Sequence, residues 1–209
     1  MKFPLSFNPI DYRRTVVIIG KIPDANYGGA NSVYELWERE TSNAESLKKS
    51  FRFNKWTFQK DEVFHNLNHD FDKFVDHESS SHEDRKNGIH HVIGINDLSR
   101  WSGNGVIHYL FAEARPKKLI VVVEEINVKE IKQSITDNMF ANLGCLIIGH
   151  LSLDERVYLK NTFAGEDKKL NDLFELGDDE WAMYFPYAYH ENGREGLYVY
   201  SGLCEKYHL

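Results

Sequence analysis

Three short runs in this chain, VVIIG at 16–20, LIVVV at 119–123 and CLIIG at 145–149, are apolar at essentially every position. A strand with one face in water alternates apolar and polar residues, so unbroken runs of this length mark strands covered on both sides. Such strands belong to a mostly parallel sheet with helices above and below it. Further strands are predicted at 50–58, 90–95 and 181–188, with a short last one at 196–200. The first three runs extend to strands at 15–20, 118–124 and 143–149. Segments 16–19, 92–95, 120–123 and 146–148 are expected to be neighbouring, buried and parallel.

Helical spacing fills the gaps between strands. Residues 31–40, 61–77, 128–140 and 153–163 are predicted helices, and Phe64, Leu67, Phe71, Phe74 and Val75 share one face of the second. The nine polar residues at 79–87, SSSHEDRKN, show no period and predict an exposed loop. SGNG at 102–105 predicts another. No internal repeat interrupts this pattern, and 209 residues suit one domain over 1–209. The fold class is therefore α/β, a three-layer sandwich with a largely parallel central sheet.

Composition excludes several alternatives. Hydrophobic residues make up 42% of the chain, including 13 Phe, 11 Tyr and 4 Trp, enough to build a core and to rule out disorder as the main state. No run reaches the length that spans a bilayer, and the first residues lack the pattern of a signal peptide, so an intracellular, soluble protein is expected. A net charge of −7 argues against a surface basic throughout. Basic clusters are local: Arg13 and Arg14; Lys48, Lys49, Arg52 and Lys55; Arg115, Lys117 and Lys118. Cys145 and Cys204 are too few for a disulfide framework, and the apolar setting of Cys145 predicts a buried free thiol.

Two histidine features invite chemistry. His65, His69, Asp72 and Asp76 recur at helical steps and fall within roughly 60° of one another at about 100° per residue. That stripe has the ligand types for a divalent metal, and it is equally the solvated face opposite the phenylalanines. His150, in GHLSLDE, resembles the His-x-Ser/Thr element that two-histidine phosphoesterases use in pairs, but the second copy is missing.

A third feature concerns anions. The strand ending at Gly20 is followed by the loop KIPDANYGGANS and then by a helix starting near Asn31 or Ser32. A strand, a glycine-bearing loop and a helix N-terminus together present backbone N–H groups to a phosphate. The full phosphate-loop motif is absent, because Asn31 stands where its lysine would precede Ser32. Further along, HHVIGI runs into Asn96 and Asp97, where a nucleotide-hydrolysing sheet carries its acidic residues.

Taken with the elements that follow, NGVIHYLFAEARPKKLIVVVEE and LGCLIIGHLSLDERVYLKNTFAG, this order resembles the viral genome-packaging ATPases of the HerA/FtsK superfamily. The likeness covers about residues 15–164 and is most informative over 89–165. It implies a P-loop NTPase-like fold in which Gly20, Lys21, Gly28, Gly29, Asn31 and Ser32 line the nucleotide phosphates. It also implies that Asn96 and Asp97 stand at Mg²⁺ and the attacking water, that Glu124 or the adjacent Glu125 takes the place of the γ-phosphate sensor, and that Arg115 serves a neighbouring subunit's site. Asn138 matches the family's asparagine, and Lys132 is the cation nearest its missing arginine.

The departures are at the diagnostic positions. The loop lysine is lost, Asn96 replaces the metal-binding aspartate, Asp97 replaces the catalytic glutamate, and Pro116 replaces a histidine. The resemblance thus implies ATP and Mg²⁺ as ligands, with weak or lost hydrolysis, and double-stranded DNA, viral capsid or portal components and further copies of the chain as partners. Two other classes remain open at this point: an inactive α/β module that binds protein or nucleic acid, and a metal-dependent enzyme built on the histidine/aspartate stripe.

Overall fold

The computed structural model describes residues 5–7, 15–20, 22, 30, 32–56, 66–96, 98, 105–114, 116–117, 119–125, 129, 138–139, 141–163, 175–186, 196–201 and 204–208. Eight strands form one sheet: β1 (Thr15–Ile19), β2 (Phe51–Trp56), β3 (His90–Asn96), β4 (Ile120–Glu125), β5 (Leu143–Ile148), β6 (Glu180–Phe185), β7 (Gly196–Ser201) and β8 (Cys204–His208). Their order is β2-β3-β4-β1-β5-β6-β7-β8. Strands β2, β3, β4, β1 and β5 are mutually parallel, as expected for the segments in β1, β3, β4 and β5, while β2 joins them at the sheet edge without an unbroken apolar run. From β5 onward the sheet continues as an antiparallel meander through β6, β7 and β8.

Alternation along the central strands sends successive side chains into two separate cores. Val17, Ile19, Ile93, Ile95, Val121, Val123, Leu146 and Ile148 face one, while Val16, Ile18, Val92, Ile120, Val122, Cys145 and Ile147 face the other. Cys145 is a buried free thiol, as its sequence context predicts.

Among the described residues, five helices flank the sheet: α1 (Val33–Asn43), α2 (Glu45–Ser50), α3 (Asn66–Lys86), α4 (Gly105–Ala114) and α5 (Leu153–Phe163). Val33, Tyr34, Leu36 and Trp37 of α1 enter the second core, whereas Val106, Ile107, Leu110 and Phe111 of α4 and Leu159 of α5 enter the first. The chain therefore travels from β1 to β2 over one face and returns through α4 over the other. Opposite directions over opposite faces are what a fixed crossover hand produces. The start of α5 is set by a reciprocal cap: the Ser152 hydroxyl accepts from Glu155 N at 3.4 Å, and the Glu155 carboxylate accepts from Ser152 N at 2.8 Å.

One predicted loop is a helix. Residues 79–86 continue α3 instead of leaving it, because the inward face of this stretch is polar and is satisfied by polar partners. Lys117 pairs with Glu78, Arg85 donates to the Ser81 hydroxyl at 2.8 Å, and Asp84 lies 2.7 Å from His91 Nε2 on β3. Gly88 then ends the helix with a φ of 77°. The apolar face predicted for the earlier turns, including Phe71 and Phe74, lies outside the described side chains. So does most of the predicted 128–140 helix.

A buried histidine in this polar seam predicts an acid-sensitive fold. The His77 ring stands edge-on to Trp56 and His91, 5.6 and 5.0 Å away, and its Nε2 has no hydrogen-bond partner among the described residues. Burial pushes its pKa down from 6.5 to about 4, helped by His91 and Arg85 and opposed by Glu78 and Asp84. The folded chain keeps His77 neutral while the unfolded chain takes up a proton, so stability falls as pH drops from about 6.5 toward 4. Urea titrations at the two ends of this window should show a smaller acid loss for His77→Leu than for the wild type. An equal loss in both would remove His77 as the source.

Candidate functional site

Strand β1 leaves the sheet at a point where only glycine fits. Gly20 has a φ of 75°, and a Cβ there would stand 2.6 Å from the carbonyl oxygen of His150 and 2.9 Å from Leu151 Cδ2. The end of β1 is tied to β5 by the bond from Gly149 N to Ile19 O at 2.9 Å. Lys21, Gly28, Gly29 and Asn31 of the following loop lie outside the described residues.

The loop rejoins the described chain at the N-terminus of α1. Ser32 is the N-cap, with extended backbone, and its hydroxyl accepts from Glu35 N at 3.1 Å. That satisfies one of the N–H groups left free at a helix start. Others are taken by Glu124, at the end of β4: its Oε1 accepts from Tyr34 N at 3.1 Å, and its carboxylate also receives Val33 N–H and the Ser32 hydroxyl. The positive end of the helix dipole favours a negative group at this position. Burial raises the Glu124 pKa above the usual carboxylate range, against the opposing pull of these hydrogen bonds and of the Lys55 charge. Lys55, at the end of β2, sits 3.3 Å from Glu35 in the first turn of α1.

Strand register brings the remaining pieces to the same edge. Asn96 of β3 pairs with Glu124 of β4, and Ile18 and Ile19 of β1 pair with Glu124 and Glu125. Gly20, Ser32, Asn96 and Glu124 therefore gather at the C-terminal edge of the parallel strands, where ligands bind in open α/β sheets. The side chains of Asn96 and Glu125, and all of Asp97, lie outside the described residues. Arg115 does too; of the described residues around it, Leu119 N bonds to Ala114 O at 2.8 Å, just before β4 begins. Ala114 and Ile120 thus stand at the N-terminal edge, a strand's length from Glu124. The Asn138 side chain is engaged with α4, donating to His108 O at 2.8 Å, and Lys132 is outside the described residues.

Helix α1 also makes a close approach to β3. The Tyr34 ring lies on the backbone of Gly94 in β3, so that a Cβ on Gly94 would be 2.5 Å from Tyr34 Cδ2. Phe53 of β2 closes the other side, with ring centroids 5.5 Å apart.

The other predicted features do not converge here. His150 is exposed and lies 3.5 Å from Asp178. Asp76 of the histidine/aspartate stripe is exposed, while His65 and the side chains of His69 and Asp72 lie outside the described part. Among the described residues, no group of three or more His, Cys, Asp or Glu is placed to hold a metal. Sequence reasoning did not anticipate the contact of Glu124 with α1. Its only trace in the sequence is a carboxylate ending an otherwise apolar strand.

No family model and no curated protein matches this sequence. Among solved structures, the chain is similar to the genome packaging NTPase B204 from Sulfolobus turreted icosahedral virus 2, a structure in complex with AMPPCP. The match covers 85% of this chain and 93% of that one, at 13% identity and a TM-score of 0.51. At that identity the likeness concerns the fold: an α/β sandwich, mostly parallel in its centre, shared with a viral packaging NTPase. No helix among the described residues is long and apolar enough to cross a membrane.

Proposed function

We propose that this chain is a P-loop NTPase-like protein related to viral genome-packaging motors, one domain over residues 1–209, in which ATP hydrolysis is weak or lost. The observation that carries the reading is the placement of Gly20, the Ser32-capped start of α1, Asn96 and Glu124 together at one edge of the sheet. The resemblance in the sequence assigned these same residues to one nucleotide site. The B204 fold, solved with an ATP analogue, extends over nearly the same length of chain.

The start of α1 fits an anion, because its N–H groups already hold a carboxylate. In this reading Gly20, Lys21, Gly28, Gly29, Asn31 and Ser32 hold ATP phosphates, and Asn96 and Asp97 hold Mg²⁺. Mg²⁺ neutralises charge on the phosphates when bound. Asp97 orients water, Glu124 faces the terminal phosphate, and Arg115 serves the site of a neighbouring copy. Double-stranded DNA and capsid or portal components are the partners.

Hydrolysis is weak because two sources of electrostatic stabilisation are missing together. An active phosphate loop sets a lysine against the β- and γ-phosphates and an aspartate on Mg²⁺, and here Asn31 and Asn96 occupy those positions. Steady-state ATP turnover with Mg²⁺, with and without double-stranded DNA, is expected at or below detection, while ATP raises the melting temperature. A ligand at about 100 times its dissociation constant adds roughly 2.7 kcal/mol of stability. Robust turnover abolished by Lys21→Ala or Asp97→Ala would show an active site of altered form. Neither turnover nor a melting shift would favour the inactive binding module.

A further inference from the structure

We propose that Glu124 is an internal stopper of the α1 N-terminus, an autoinhibitory carboxylate that a phosphate must displace from the Val33 and Tyr34 N–H groups before it can bind. The inference rests on the nucleotide reading for its ligand, but on Glu124's own contacts for its mechanism.

A helix start offers few free donors, and here they are committed. The Ser32 hydroxyl, Val33 N–H and Tyr34 N–H all go to Glu124, and Glu35 N–H goes to Ser32. The carboxylate reaches them from β4, 90 residues away in sequence, so the plug is a tertiary contact and not a local cap. A phosphate using the same donors would meet an anion already in place. Two negative charges a few ångströms apart repel strongly where solvent is partly excluded. The nearby cation, Lys55, is shared with Glu35, 3.3 Å from its ammonium. With Asn31 in place of the loop lysine, the described part of the site holds no second cation to offset both anions.

A γ-phosphate sensor and a stopper predict opposite signs. Removing a sensor weakens nucleotide binding, whereas removing a stopper strengthens it.

The experiment is calorimetric titration of the full chain with inorganic triphosphate and, separately, with ATP and Mg²⁺. It compares the wild type, Glu124→Gln and Glu124→Ala, each checked for folding by urea titration. Glu124→Gln keeps an acceptor for the α1 N–H groups and loses only the charge, so it remains informative if Glu124→Ala unfolds. Amide resonances of Val33 and Tyr34, followed by NMR, report whether the anion occupies the helix start.

Triphosphate binding at least about tenfold tighter in Glu124→Gln than in the wild type, with Val33 and Tyr34 amides shifting, is the expected result. If ATP then binds no tighter than triphosphate, the stopper stands and the nucleotide reading fails. If the wild type binds ATP and Glu124→Gln binds it equally or more weakly, the nucleotide reading stands and the stopper is overturned. If neither variant gains affinity for either ligand, the stopper is overturned as well.

Discussion

Gly20→Ala is expected to lower the stability of the fold by about 2–5 kcal/mol, the sum of a backbone and a packing cost, read as a lower urea midpoint at unchanged slope. Two costs add at this position. A Cβ in the left-handed region costs about 1–2 kcal/mol, and Gly20 has a φ of 75°. The same Cβ would lie 2.6 Å from the His150 carbonyl oxygen, which is backbone and cannot rotate away. Forcing atoms into a packed site costs about 1–3 kcal/mol more. Gly88 separates the two terms, because it has a φ of 77° and nothing within 4 Å of an added Cβ. It closes α3 in a Schellman arrangement, with Gly88 N on Arg85 O at 3.1 Å and Ile89 N on Asp84 O at 2.9 Å. Gly88→Ala should therefore show only the backbone term, about 1–2 kcal/mol. Equal losses at the two glycines would mean that the approach of β1 to His150 is not tight.

The functional weight of that turn is that it aims the chain from β1 toward α1, and the sequence shows it only in outline. The central strands were legible because burial on both faces leaves an unbroken apolar run, here short and rich in valine and isoleucine. The prediction of a loop at 79–87 failed because hydrophobic period is a signal for apolar faces only. Glu78 and Asp84 tie α3 to Lys117 and His91, the buried Ser81 is bonded by Arg85 of the same helix, and no period in hydrophobicity reports such a seam. Helix α4 was hidden for the opposite reason. Its segment GVIHYLFAEA is apolar on most positions, and its buried face of Val106, Ile107, Leu110 and Phe111 does not stand out from the rest.

The site was legible as an order of elements and not as contacts. Gly20, Ser32, Asn96 and Glu124 could be assigned to one edge because parallel strands put all their C-terminal ends together. That Glu124 bonds the backbone of Tyr34 depends on the height of α1 above β4, which is set by side-chain packing between distant segments.

The height of α1 is what Gly94→Ala would change. A Cβ at Gly94 would fall 2.5, 2.7 and 3.0 Å from three carbons of the Tyr34 ring, which is only 1% exposed and has Phe53 edge-on beside it. The ring has no free direction, so the helix itself must lift, at an expected cost of about 1–3 kcal/mol. The Tyr34 hydroxyl adds nothing to resist this, being buried without a hydrogen-bond partner among the described residues. A double-mutant cycle isolates the contact. In a Tyr34→Leu background the same glycine substitution should cost no more than about 0.5 kcal/mol, since residues in contact couple by about 0.5–3 kcal/mol and separated ones add. Lifting α1 also lengthens the bond from Tyr34 N to Glu124, so amide hydrogen exchange at Tyr34 should accelerate in Gly94→Ala while that of β5 amides, on the far side of β1, holds. Additive costs in the cycle, or unchanged exchange at Tyr34, would show that α1 takes its height from some other contact and that Gly94 does not position the start of the helix.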